Sequence, residues 1–180
     1  MVYILLAPGF EEAEALVPAD LLRRAGIDTA LTALEGAAVT GSHGITVQAD
    51  RTLDQLDLDR AEMLVLPGGG KGVENLGQSS AVEDLVREAR NRDIPLAAIC
   101  AAPTLLGRWG MLEGKKAVCY PGMEDRLTGA VVERASGVVE DGKLITSRAA
   151  GSAFDFGLTL VRVLAGAEKA EEVRRAVHYR

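Results

Sequence analysis

The sequence predicts one α/β domain built on a mainly parallel sheet with helices on both faces. Short, uninterrupted apolar runs recur along the 180-residue chain, as strands buried on both faces require. Segments of helical apolar spacing alternate with those runs, the order that yields parallel strands and crossover helices. No linker, repeat or low-complexity stretch divides residues 1–180, and this length buries a substantial core without staples.

The elements follow in order. Val2–Ala7 is the first buried strand. Glu11–Ala25 has helical spacing, with Ala13, Leu16, Val17, Leu21 and Ala25 on one side and Gly26 as its C-terminal cap. Pro18 inside it removes the N–H that the Glu14 carbonyl needs, so a kink is expected there. Ile27–Leu34 is a strand, and the turn residues of Gly36–Ala49 predict a hairpin. Glu62–Pro67 is a third buried strand, running into the Gly68-Gly69-Gly70 loop. Ser79 or Ser80 caps a helix to about Asn91, and Leu96–Ile99 is the fourth buried strand. Thr104–Trp109 reads as a short helix. Lys116–Tyr120, Val131–Val139 and Leu144–Thr146 read as strands, the last two joined by a Glu-Asp-Gly turn. Gly151–Leu164 and Glu168–Val177 complete the chain as helices.

Composition narrows the function. Apolar residues make up 48% and charged residues 26%, the balance of a globular protein. The formal charge is −6 with no basic block, so neither nucleic acid nor an anionic membrane is expected as a principal partner. Apolar runs are far too short for a membrane span, and Met1–Ala7 reads as a strand instead of a signal peptide, so a cytoplasmic location is expected. Two cysteines, Cys100 and Cys119, and two histidines, His43 and His178, stand at no metal-ligand spacing; no metal is expected, nor a structural disulfide.

In sheets of this kind ligands bind beyond the carboxyl ends of the strands. Pro8–Glu14, Pro67–Gly72 and Cys100–Pro103 all follow strands and are expected to converge. Cys100 ends an apolar strand before small residues, where a following helix would favour thiolate; its competing reading is a buried structural cysteine. On that basis Cys100, and not Cys119, is expected to have a depressed pKa. Glu14 lies on the apolar side of its helix, where burial raises the pKa of a carboxyl, whereas Glu11 and Glu12 read as complements of the helix N-terminus. The glycine loop lacks both phosphate-binding spacings, Gly-x4-Gly-Lys-Ser/Thr and Gly-x-Gly-x-x-Gly, so no nucleotide is expected. It is either a plain turn or, through Gly69 N–H together with Ala101 N–H, an oxyanion site. Tyr120 sits where a partner to Cys100 might be sought, though an isolated aromatic reads as structural. His43 falls in the hairpin as a surface or subunit-contact residue.

Four segments in order resemble the DJ-1/ThiJ/PfpI superfamily, specifically its DJ-1-like branch: Pro8-Gly9-Phe10-Glu11-Glu12-Ala13-Glu14, Leu66-Pro67-Gly68-Gly69, Ala98-Ile99-Cys100-Ala101-Ala102-Pro103 and Thr146-Ser147-Arg148. Leu22–Gly26 is similar too, and the match runs over nearly the whole chain. The resemblance implies a flavodoxin-like sandwich with Cys100 at a nucleophile elbow, a protonated Glu14 hydrogen-bonded to it, and Gly69 and Ala101 as backbone donors. Arg24, His43, Tyr120 and Arg148 become pocket candidates. It also implies a homodimer, no cofactor or metal, and action on reactive dicarbonyls such as methylglyoxal or on early glycation adducts. Oxidative-stress sensing through Cys100 sulfinate, or chaperone activity, is the alternative. Many members have histidine where this chain has Tyr120, so a Cys-His protease mechanism is not expected. Ala149-Ala150 replaces a frequent Gly-Pro, which is expected to alter the pocket near the partner subunit.

Overall fold

The computed structural model describes residues 1–180. The chain opens with β1 (Val2–Leu6), α1 (Glu12–Arg24) and β2 (Thr29–Ala33), followed by a hairpin of β3 (Ala38–Thr40) and β4 (Thr46–Gln48) and by the short β5 (Arg51–Thr52). Next, β6 (Met63–Leu66) leads into α2 (Gly70–Gln78) and α3 (Ser80–Asn91), and β7 (Leu96–Ile99) into α4 (Pro103–Arg108). The short β8 (Lys116–Ala117) and β9 (Val131–Val132) precede β10 (Val138–Asp141), β11 (Leu144–Ser147), α5 (Ala153–Ala165) and α6 (Ala167–Ala176).

The main sheet has seven strands in the order β10-β11-β7-β6-β1-β2-β5. All neighbours are parallel except the edge pair β10–β11. Successive residues point to opposite faces, and each face is apolar. Tyr3, Leu5, Leu64, Leu66 and Ala98 pack with Val73 and Leu76 of α2 and Val82 and Val86 of α3. On the other face Ile4, Leu6, Val65 and Ile99 pack with Leu21 and Leu22 of α1 and Phe156 and Leu160 of α5. Full burial of each such side chain contributes about 1.5–3 kcal/mol of transfer free energy. That two-sided burial explains why the strands read as continuous apolar runs. The flavodoxin-like sandwich is present, with the small β3–β4 hairpin beside it.

The chain leaves β1 toward β2 on one side and returns to β6 on the other, so the strand order reverses at β1–β6. Pro8–Glu14 and Pro67–Gly72 leave the sheet at that reversal, with Cys100 one strand further along.

Several boundaries differ from the sequence expectations. Residues 70–78 form α2, unread because Gly70, Gly72 and Gly77 weaken helical propensity. Gly72 is needed for contact: a Cβ there would lie 2.7 Å from the backbone N and Cα of Phe10. The expected strand 116–120 is ordered only at Lys116–Ala117, and 131–139 divides into β9 and β10. β8 and β9 form a separate parallel pair, so only β10 joins the main sheet. The first helix runs through Pro18 without a break. Its end is capped as expected, with Gly26 N–H donating to Arg23 O and Ile27 N–H to Leu22 O.

Candidate active site

Cys100 follows β7 directly and takes φ +65°, the left-handed region that a non-glycine residue enters at a cost of about 1–3 kcal/mol. Neighbouring strands hold it there. Its N–H donates to Ser147 O at 2.9 Å, and its carbonyl accepts from Tyr120 N–H at 2.8 Å. At this sharp turn the thiol is half-buried and packs against the core face that α1 and α5 cover.

Glu14, one turn into α1, is 1% exposed. Gly68 N–H donates to its Oε2 at 2.9 Å, and Glu11 N–H donates to Gly68 O at 2.9 Å, so α1 and the loop after β6 are locked together. The space above Gly68 is where the elements meet. A Cβ on Gly68 would collide with Glu14 Oε2 and lie 2.5 Å from Cys100 Cβ and 3.1 Å from Sγ. Gly69 follows at φ +89°, and its N–H and that of Ala101 favour the charged form of the Cys100 sulfur.

The electrostatics follow from this geometry. Burial raises Glu14 to about 7, against hydrogen bonds with Cys100, Gly68 N–H and Ala150 N–H that favour the carboxylate. Burial, then the charge and hydrogen bond of Glu14, push the Cys100 thiol up to about 12, while Gly69 and Ala101 N–H pull the other way. The expected depressed thiol at Cys100 is therefore not found. Cys119 is also pushed up, to about 11, mainly by burial. The helix-dipole argument fails because α4 begins only at Pro103 and has six residues. What separates the two cysteines is the partner. Cys100 and Glu14 together release one proton near neutrality and hold the second far above it. The singly charged pair is either carboxylate with thiol or carboxylic acid with thiolate.

The remaining candidates divide. Arg148 is half-buried and follows Ser147, the residue that receives the Cys100 N–H. Tyr120 is tied to Cys100 through its backbone, with an exposed side chain. Arg24 is not brought to the site: it lies ten residues along α1 from Glu14, about 15 Å by helical rise, and pairs with Asp20 at 2.7 Å. His43 faces Glu12 instead of Cys100, its Nδ1 3.0 Å from Glu12 Oε2.

Glu12 is the residue that sequence reasoning misread. It is buried, and its carboxylate accepts from His43 N–H at 2.8 Å and from Ser42 Oγ at 3.2 Å. Burial raises its pKa, but hydrogen bonds from His43 and Ile45 outweigh that and hold it at about 2. Glu12 thus fastens the hairpin to α1. Ligand atoms of Glu11, Glu12 and His43 lie within 4.8 Å of one another, the grouping that comes nearest to a metal site, but they are already engaged in these hydrogen bonds. The acid-x-acid spacing of Glu12 and Glu14 gave no sign that both are buried on different sides of one helix.

Residues 1–163 match the DJ-1/PfpI family model. The chain belongs to the DJ-1/PfpI family. It is 42% identical to protein dj-1beta of Drosophila melanogaster over 97% of this chain and 94% of that one. The crystal structure of Drosophila melanogaster DJ-1beta superposes with a TM-score of 0.94 at 41% identity, covering 98% and 96% of the two chains. A protein named as a deglycase from Pyrococcus horikoshii is 31% identical over 91% of this chain and 98% of its own. Toxoplasma gondii DJ-1, solved in a form described as oxidized, has a TM-score of 0.93 at 31% identity, covering 99% and 97%. At family level, these DJ-1 relatives support a DJ-1-type protective enzyme. No helix is long and apolar enough to cross a membrane.

Proposed function

We propose that this DJ-1/PfpI protein is a cofactor-independent cysteine enzyme acting on small reactive dicarbonyls or early glycation adducts. The observation that carries this reading is the convergence of Cys100 and Glu14 over Gly68. The deglycase-named relative supports the substrate class.

For a 2-oxoaldehyde the steps are as follows. Glu14 takes the Cys100 proton as Sγ adds to the aldehyde carbon, forming a C–S bond and an oxyanion. Gly69 and Ala101 N–H hold that oxyanion, which is then protonated to a hemithioacetal. Glu14 removes the proton on the former aldehyde carbon and delivers one to the neighbouring carbon, through an enediol. The former aldehyde carbon is thereby oxidised to a thioester and the ketone reduced to an alcohol, without an external oxidant. Water cleaves the thioester, releasing a 2-hydroxy acid and the free thiol. Tyr120, whose N–H donates to the Cys100 carbonyl, and Arg148, which follows Ser147, are the side chains proposed to border the bound substrate. The protein acts as a homodimer, on the strength of the family resemblance.

One observation favours a second reading, a redox-responsive protective protein or chaperone: a structural neighbour was solved in a form described as oxidized. A Cys100 sulfinate would accept from Gly69 and Ala101 N–H and from protonated Glu14. Methylglyoxal turnover by fully reduced protein, lost in Cys100→Ser, supports the enzyme. Absence of turnover, with holdase activity that appears only after peroxide, supports the sensor.

A further inference from the structure

At the amino ends of β7 and β11, the opposite end of the strands from Cys100, lies a cavity of about 390 Å³. That volume falls within the range of small-ligand pockets, about 300–1,000 Å³. Its apolar lining is Ile94, Leu96, Met111 and Leu144, and its rim carries Arg90, Lys115 and Lys143 with Asp93 and Asp141. The two lysines are neutralised. Lys143 Nζ donates to Asp93 Oδ2 at 2.5 Å, and Lys115 Nζ lies 3.3 Å from Asp141 Oδ1. Arg90 differs: its guanidinium makes no ion pair, and its one hydrogen bond is to Gly110 O at 3.3 Å. A second concavity, of about 190 Å³, shares Arg90 and Met111 with the first. Arg90 therefore stands at the junction of two hollows with most of its guanidinium N–H donors unpaired.

We propose that this cavity binds a small aromatic monocarboxylate, the carboxylate on Arg90 and the ring against Met111 and Ile94. The rim's net charge of one cation over its acids selects a single anion. A guanidinium pairs bidentately with a carboxylate. A thioether beside the apolar floor favours an aromatic ring, and the lysine stems extend the apolar wall. The length of β7, about 13 Å for four residues, separates this ligand from Cys100, so the site is distinct from the catalytic one.

The test is a titration of the full chain with 2-naphthoate, followed by amide NMR shifts, with 2-naphthylmethanol as the neutral isostere. Saturable shifts at Ile94, Met111 and Gly142 are expected. Binding should fall about tenfold or more in Arg90→Gln and with the neutral isostere, the scale of one charged hydrogen-bonded contact. Ile94→Glu should abolish binding by supplying a carboxylate to Arg90 from the chain itself. Arg90 is exposed, so Arg90→Gln should fold normally and decides the matter together with the isostere should Ile94→Glu not fold. No saturable shift, shifts centred on Cys100 and Ala101, or equal binding by wild type, Arg90→Gln and the isostere would each overturn the proposal.

Discussion

Relative to wild type, the Glu14→Gln protein should gain stability as the pH rises, and the size of the gain follows from the site. The Glu14 carboxyl titrates at about 7 in the folded chain, against 4.5 when unperturbed. Between those values the folded state holds a proton that the unfolded state has released. Stability therefore falls with rising pH across that window and is flat above it. With 1.36 kcal/mol per pH unit, the loss is about 3 kcal/mol by pH 7. Glu14 is 1% exposed, so solvent screening removes little of it. Glutamine has no proton to lose. The stability difference between Glu14→Gln and wild type should thus grow by about 3 kcal/mol from pH 4.5 to pH 7.5. Any constant offset from swapping carboxyl for amide cancels in that slope. Urea denaturation of both proteins at half-unit pH steps reads it. A difference that stays constant across the window would mean that Glu14 titrates like a surface carboxyl, and the argument from burial would fail.

Other outcomes follow from the same geometry. Gly68→Ala should leave the fold intact at a cost of about 1–3 kcal/mol for overpacking, yet lower turnover on the order of 100-fold, because the added methyl displaces Glu14 or Cys100 by about 1 Å; wild-type turnover in this variant would contradict the convergence over Gly68. Alkylation read per cysteine by mass spectrometry should show Cys100 gaining reactivity through pH 7 with Glu14 ionisation, and losing that step in Glu14→Gln. Cys119 should react only at alkaline pH, and identical profiles for the two cysteines would remove the pair from the account. Glu12→Ala should destabilise the chain by about 2–3 kcal/mol and speed hydrogen exchange at His43 and Ile45, whose amides lose their acceptor. The folded-state pKa of Glu12 is lowered, so its contribution is present above about 4.5 and lost as pH falls toward about 2. Unchanged exchange at those amides would show that the hairpin is held by its backbone alone.

The strands were legible because burial on both faces leaves no polar positions, and the α1 cap and the β3–β4 hairpin because turn residues marked them. α2 was hidden by its own requirement: Gly72 must lack a side chain to touch Phe10, and such glycines read as loop. β8 was overextended because Val118 and Cys119 are apolar and buried without strand pairing. At the site, the rule that ligands bind at carboxyl strand ends drew Pro8–Glu14, Pro67–Gly72 and Cys100–Pro103 together, and the structure brings Glu14 and Cys100 to Gly68. The raised pKa of Glu14 was legible from its place on the apolar side of the helix, but the behaviour of Cys100 was not. It depends on how deeply two groups distant in sequence are buried together, which no local pattern encodes. Glu12 was hidden for the same reason, since its partner Ser42-His43 lies on a hairpin that returns to the helix only in the fold.

The central claim is that Cys100 and Glu14 act as one unit on a reactive carbonyl. Its most direct test is methylglyoxal turnover against pH by reduced wild type, Cys100→Ser and Glu14→Gln. The account predicts a wild-type rate that rises through pH 7 as the pair gives up its first proton. It also predicts no turnover in Cys100→Ser and a loss of about 100-fold or more in Glu14→Gln, the scale of general acid–base groups. Turnover in Glu14→Gln equal to wild type, with the same pH profile, would contradict it.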